Sequence, residues 1–140
     1  MKILLVEDSR MMRIENERAL VQAGYEVVCA EDGETALRIA SEQIPELILL
    51  DLLLPRISGM DVLRRLKVEE ETARIPVVVV SRLSKRNRNA LLAAGADDYL
   101  EKSVFMPEKG VNLLPKMLKD IIGRIWHKRG IERIPAGPGK

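Results

Sequence analysis

The chain has 140 residues, 46% of them hydrophobic and 31% charged, with a formal net charge of +2. That is the size of one globular domain with a substantial core. Cys29 is the only cysteine and His127 the only histidine, which excludes an internal disulfide and a zinc site built from several Cys and His ligands. No apolar run approaches the roughly 20 residues of a membrane span, and no export signal precedes the first strand-like segment; a reducing, cytoplasmic setting is expected.

Five short aliphatic runs, at residues 3–6, 27–30, 47–50, 77–80 and 99–100, read as strands. Four of them are continuous rather than alternating, as in strands covered on both faces of a parallel sheet. Helical spacing fills the intervals. The first helix, residues 10–23, stops at Gly24; the second follows Asp32-Gly33 and repeats Ala36, Leu37 and Ala40. The third carries Met60, Leu63 and Leu66, and the fourth, with Ser84 as candidate cap, closes at Gly95. This alternation predicts an α/β fold with a doubly wound parallel sheet.

Beyond Lys102, the residues Val111, Leu114, Leu118, Ile121, Ile122 and Ile125 make one side of a final helix apolar, with Pro115 in its first turn and Asn112 as its cap. The domain is expected over residues 1–129 and a flexible basic Pro/Gly tail or linker over 130–140. Residues 104–140 hold 8 Lys/Arg against 3 Asp/Glu, whereas residues 1–103 hold 15 against 18. With Trp126 the one aromatic within the cation-rich final helix and no DNA-binding motif, these late cations read as a solvated helix face or linker, and nucleic acid is not an expected partner.

Chemistry is suggested by polar residues at strand ends. "LILLDLLLPRISG", residues 47–59, sets one carboxylate in a leucine-rich run, where an uncompensated buried ion would cost several kcal/mol, roughly. Glu7 and Asp8 follow the first strand, Asp51 the third, Ser81 the fourth and Lys102 the fifth. All fall at carboxyl ends, the edge where open parallel sheets bind ligands. With the flavodoxin-like order 2-1-3-4-5, Glu7, Asp8 and Asp51 converge. Three carboxylates without histidine suit Mg2+, a hard cation that takes oxygen ligands, and place Asp51 at the rim beside it. Lys102 and Ser81 then suit phosphoryl oxygens, and a carboxylate can attack phosphorus to form an acyl phosphate.

Each residue also has a plainer reading. Glu7-Asp8 suits a helix cap, Lys102 an ordinary surface lysine, Ser81 the start of a turn, and Tyr99 a core ring with its hydroxyl outward. Cys29 reads as a buried strand residue, and His127 as a surface group at a helix C-terminus.

Taken in order, "LLVEDS", "LILLDLLLPRISGMDVL", "PVVVVS" and "AAGADDYLEKS" resemble the receiver domain of bacterial two-component response regulators, over residues 2 to about 127. The resemblance implies five strands with five helices. It implies that Asp51 is the phosphoacceptor, Asp8 a direct Mg2+ ligand, Glu7 a ligand through water and the Leu53 backbone carbonyl a further ligand. Ser81 and Lys102 would bind phosphoryl oxygens. Ser81 and Tyr99 would form the switch, the ring turning into space that Ser81 vacates and repacking the surface of the fourth helix, fifth strand and last helix. The implied partners are a sensor histidine kinase or phosphotransfer protein, a downstream output domain or protein, and a second copy through that surface. No separate enzymatic turnover is expected.

Three positions depart from the family pattern. Ser103 stands where a proline with a cis bond is usual, and a cis bond to serine costs about 3–4 kcal/mol. Residues 103–111 form a longer stretch than usual before the last helix. Arg82 replaces the usual Ala or Gly after Ser81, where it could cover the site or reach a phosphate. Leu53 and Leu83 flank the phosphoryl position and cannot orient an attacking water, so a slow-decaying phosphoryl state is expected. Among rivals, an aspartyl-phosphate phosphohydrolase lacks its second carboxylate, since Leu53 holds that place; an FMN carrier would meet repulsion from Glu7-Asp8; and a pure interaction module would not need the full set.

Overall fold

The computed structural model describes residues 1–82 and 88–130. Strands β1 (Lys2–Val6), β2 (Glu26–Ala30), β3 (Leu47–Asp51), β4 (Val77–Ser81) and β5 (Asp98–Glu101) alternate with helices α1 (Arg10–Gln22), α2 (Gly33–Gln43), α3 (Gly59–Val68) and α4 (Arg88–Ala93). After β5 come a short helix, α5 (Lys102–Phe105), and the long α6 (Leu114–Lys128). All strand pairs are parallel and the order is β2-β1-β3-β4-β5. This is the doubly wound, flavodoxin-like sheet expected, with six helices rather than five among the described residues. Ser84, Leu83 and the tail after Gly130 lie outside those residues.

Alternate strand residues point to opposite faces, and the continuous aliphatic runs therefore supply two cores. Leu4, Val6, Ile48, Leu50, Val77 and Val79 pack with α2 and α3 residues such as Ala36, Val62 and Leu63. Ile3, Leu5, Leu47, Leu49, Val78 and Val80 pack on the other side with Leu20 of α1 and Leu118, Ile121, Ile122 and Trp126 of α6. Burying a Leu or Ile side chain contributes about 1.5–3 kcal/mol, which is why these runs form the centre of the sheet. At its edge, β2 is less covered. Cys29 there is half-buried, not buried as expected, and desolvation pushes its thiol up to about 12.

The helix starts follow local chemistry. Ser9, Asp32 and Ser58 cap α1, α2 and α3 with side-chain oxygens on Met12 N, Thr35 N and Asp61 N. The last helix begins at Leu114, so Val111 precedes it. The cap position is Leu113, not Asn112 as expected; Asn112, one residue earlier, still accepts from Leu114 N through Oδ1 at 2.9 Å, while its Nδ2 donates to the buried Asn16 Oδ1 of α1 at 2.9 Å. Residues 102–105 form α5, with Ser103 in its only turn, and no peptide bond among the described residues is cis. Phe105 anchors that turn in the α1–α6 core.

At the amino edge of the sheet, Asp97 gathers three donors. Its Oδ2 accepts from Val77 N at 2.8 Å and Lys67 Nζ at 3.5 Å, and its Oδ1 from Arg129 Nη2 at 2.8 Å. Arg129 also donates to the Arg74 carbonyl, tying the end of α6 to the strand layer. No helix of the described residues is long and apolar enough to cross a membrane.

Candidate functional site

The register brings the strand ends together. β3 lies between β1 and β4, with Val6 opposite Leu50 and Asp51 opposite Val80. Glu7 N extends the ladder to the Ala30 carbonyl at 3.0 Å, so the Glu7 side chain leaves at the same edge as Asp51. Ser81 ends β4 opposite Glu101, and Lys102 is the next residue, turned inward as the first of α5.

Lys102 joins the acids. Its Nζ donates to Glu7 Oε1 at 2.7 Å and to Asp51 Oδ2 at 3.2 Å, and all three side chains are buried. The surface-lysine reading is therefore replaced. Asp51 is only 4% exposed and so is more enclosed than a rim position, because Lys102 and the following loop cover it. Its second oxygen accepts from Leu53 N at 3.2 Å, which fixes the carboxylate plane. Glu7 Oε2 accepts from Ser9 N at 3.2 Å, so Glu7 steadies the start of α1 while Ser9 performs the capping. Asp8 is exposed, and one oxygen each from Glu7, Asp8 and Asp51 lies within 4.8 Å of the others.

The electrostatics explain what the cluster lacks. Three carboxylates against one ammonium leave two negative charges, the charge that one divalent cation offsets. Burial, reinforced by the hydrogen bond and charge of Asp51 and opposed by Lys102, raises Glu7 to about 7. An all-oxygen donor set without nitrogen or sulfur fits a hard cation such as Mg2+. Arg13 escaped the sequence reading. Its guanidinium donates to the carbonyls of Glu7 at 3.0 Å and Asp8 at 3.4 Å and holds the loop that carries them. Nothing but its place one turn after the Ser9 cap could have signalled this.

Ser81 is fully buried at the end of β4. Tyr99 is buried among Val77, Val79, Leu91 and Ala96; burial and the charge of Glu101 raise its phenol, and a hydrogen bond with Ser81 works the other way. Leu53 is half exposed beside Asp51. His127 is exposed in the last turn of α6, as expected.

The model of the response regulator receiver domain matches residues 3–113. The chain belongs to the response regulator receiver family. This receiver domain is 38% identical over 107 residues to response regulator MprA of Mycolicibacterium vanbaalenii, covering 76% of the chain and 46% of that protein. It is 38% identical over 118 residues to the phosphate regulon transcriptional regulatory protein PhoB of Pseudomonas aeruginosa, covering 84% and 51%. The chain thus spans about half the length of the curated relatives it matches. Among solved structures, the Vibrio cholerae chemotaxis protein CheY4 aligns with TM-score 0.75 at 28% identity, covering 86% of this chain and 97% of that one. The receiver domain of sensor histidine kinase PA1611 from Pseudomonas aeruginosa, whose cleft coordinates a magnesium ion, aligns with TM-score 0.72 at 31% identity, covering 89% and 96%.

Proposed function

We propose that this receiver domain is a phosphorylation-controlled switch in which Asp51 takes a phosphoryl group from a phosphohistidine on a sensor kinase or phosphotransfer protein. The observation that carries this reading is the bridge of Lys102 between Glu7 and Asp51, residues 95 and 51 positions away, with Asp8 beside them. In the transfer, an Asp51 carboxylate oxygen forms a bond to phosphorus as the bond from phosphorus to the donor's nitrogen breaks, and the electron pair leaves with the imidazole. Leu53 N, holding the other oxygen, directs the attacking one. Lys102 balances the charge of the acids before transfer and that of the phosphoryl oxygens after it.

Glu7, Asp8, Asp51 and the Leu53 carbonyl would hold Mg2+, with Glu7 acting through water. When bound, the ion offsets the carboxylates and stabilises charge on the transferring group. Ser81 would then hydrogen-bond the phosphoryl group instead of Tyr99, freeing the ring to repack α4, β5 and α6. That surface would meet an output domain, an output protein or a second copy. The chain would turn over no separate substrate and would work in the cytoplasm.

The test is incubation with Mg2+ and a small acyl phosphate, followed by intact-mass measurement, for the parent and Asp51→Asn. The parent is expected to gain one phosphoryl mass that the variant lacks. An equal gain in both would move the acceptor elsewhere.

A further inference from the structure

Ser81 and Glu101 are opposite one another in the β4–β5 ladder, so the next residues, Arg82 and Lys102, leave neighbouring strands side by side at the carboxyl edge. Their side chains have opposite fates. Lys102 turns in and is committed to Glu7 and Asp51. Arg82 is exposed and, among the described residues, makes no hydrogen bond or ion pair. It lines a groove of about 720 Å3 that also reaches Lys102 and Ser103 and runs between Met12 of α1 and Met106. The groove is lined by α1, by the segment from Lys102 to Asn112 and by Arg82, so an exposed cation stands on it beside Lys102, whose ammonium is turned to Glu7 and Asp51.

That cation meets a specific need. The acids of the site outnumber Lys102 by two charges, which a divalent ion would only bring to balance, so the cluster itself offers a dianionic donor no net attraction from a distance. A guanidinium offers paired donors that match two phosphoryl oxygens, and an exposed one acts at the distance of approach. Other charges on the groove, Arg18 and Lys109 against Glu15 and Glu108, cancel one another.

We infer that Arg82 is a further phosphoryl-binding residue of the reaction, an exposed cation beside Lys102 that draws the dianionic phosphoryl group to this edge of the sheet. It makes and breaks no covalent bond. This rests on the phosphoacceptor reading of Asp51.

The experiment measures the second-order rate of phosphoryl uptake by the full chain with Mg2+, using acetyl phosphate and the less negatively charged phosphoramidate, at low and high salt. Arg82→Ala, Arg82→Lys and Arg82→Glu are compared with the parent, with unfolding curves as the check on folding. At low salt, Arg82→Ala is expected to slow uptake from acetyl phosphate about three- to tenfold and Arg82→Glu by more, with Arg82→Lys recovering most of the rate. The loss should shrink at high salt and be smaller with phosphoramidate. Unchanged rates and salt dependence in Arg82→Ala, beside a parent that reacts at Asp51, overturn this inference alone; so does faster uptake, which would make Arg82 a cover. A parent that takes up nothing at Asp51 overturns the phosphoacceptor reading and this one with it.

Discussion

Glu7 offers a direct test of the site's charge balance, because substituting Gln removes one of the three acids and keeps its shape. Without a divalent ion, the folded carboxyl is raised from 4.5 to about 7. The sign follows from linkage: a group that binds its proton more tightly when folded stabilises the fold below its unfolded pKa, and that contribution is lost as pH rises through the folded value. Between pH 5 and pH 8 the parent should therefore lose roughly 2–3 kcal/mol that Glu7→Gln does not lose. Glu7 titrates together with Asp51 and Lys102, so the difference between the two slopes reports the coupled cluster. Urea unfolding at pH 5, 6.5 and 8, with chelator and then with Mg2+, measures it. Adding Mg2+ at pH 8 should restore much of the parent's stability, by about 1.4 kcal/mol for each tenfold excess over the dissociation constant, and should restore less in Glu7→Gln. Parallel pH slopes for the two proteins in chelator would refute the charge argument.

Other substitutions probe the surroundings. Lys102→Met leaves Glu7 and Asp51 buried without their cation and should cost about 3–5 kcal/mol in chelator, with Mg2+ recovering part; a loss below about 1 kcal/mol in urea titrations would contradict the bridge's role. In Gly59→Ala the new Cβ would collide with the Asp51 carbonyl oxygen and with Leu52 Cα. Backbone must shift next to the acceptor, so a loss of about 1–3 kcal/mol is expected by thermal melting, with slower phosphoryl uptake. Tyr25 is 3% exposed and its hydroxyl has no hydrogen-bond partner among the described residues, so Tyr25→Phe should be neutral or up to about 1 kcal/mol stabilising; a clear drop in melting temperature would overturn this. Leu53 offers no group to orient a water, so the phosphoryl state should outlast minutes by mass spectrometry; decay within seconds would contradict this.

Much of the fold was legible because β1, β3 and β4 are buried on both faces, and burial on both faces writes itself as an unbroken aliphatic run. The edge position of β2 was harder to read, since Val27, Val28 and Cys29 look the same whether or not a helix covers them. α5 was invisible: four residues carry no period, and only the packing of Phe105 discloses the turn. The acids of the site were legible from their places after strands, because a parallel sheet sends every such residue to one edge. The pairing was not. That Lys102 would be buried and closer to Glu7 than to Asp51 depends on how α5 turns in, and Asn16 finds its partner 96 residues away. Arg13 acts through main-chain carbonyls, which no side-chain pattern announces.

Two moorings restrain α6. Its first turn is bound through Asn112 to Asn16 of α1, and its last through Arg129 to Asp97 and the Arg74 carbonyl. β5 is locked into the ladder, whereas the described residues of α4, Arg88–Ala93, bury only Leu91. Of the three elements on that face, two make a stiff chassis and one rests on a single bolt, so any rearrangement there is cheapest as a displacement of α4 against an immobile background.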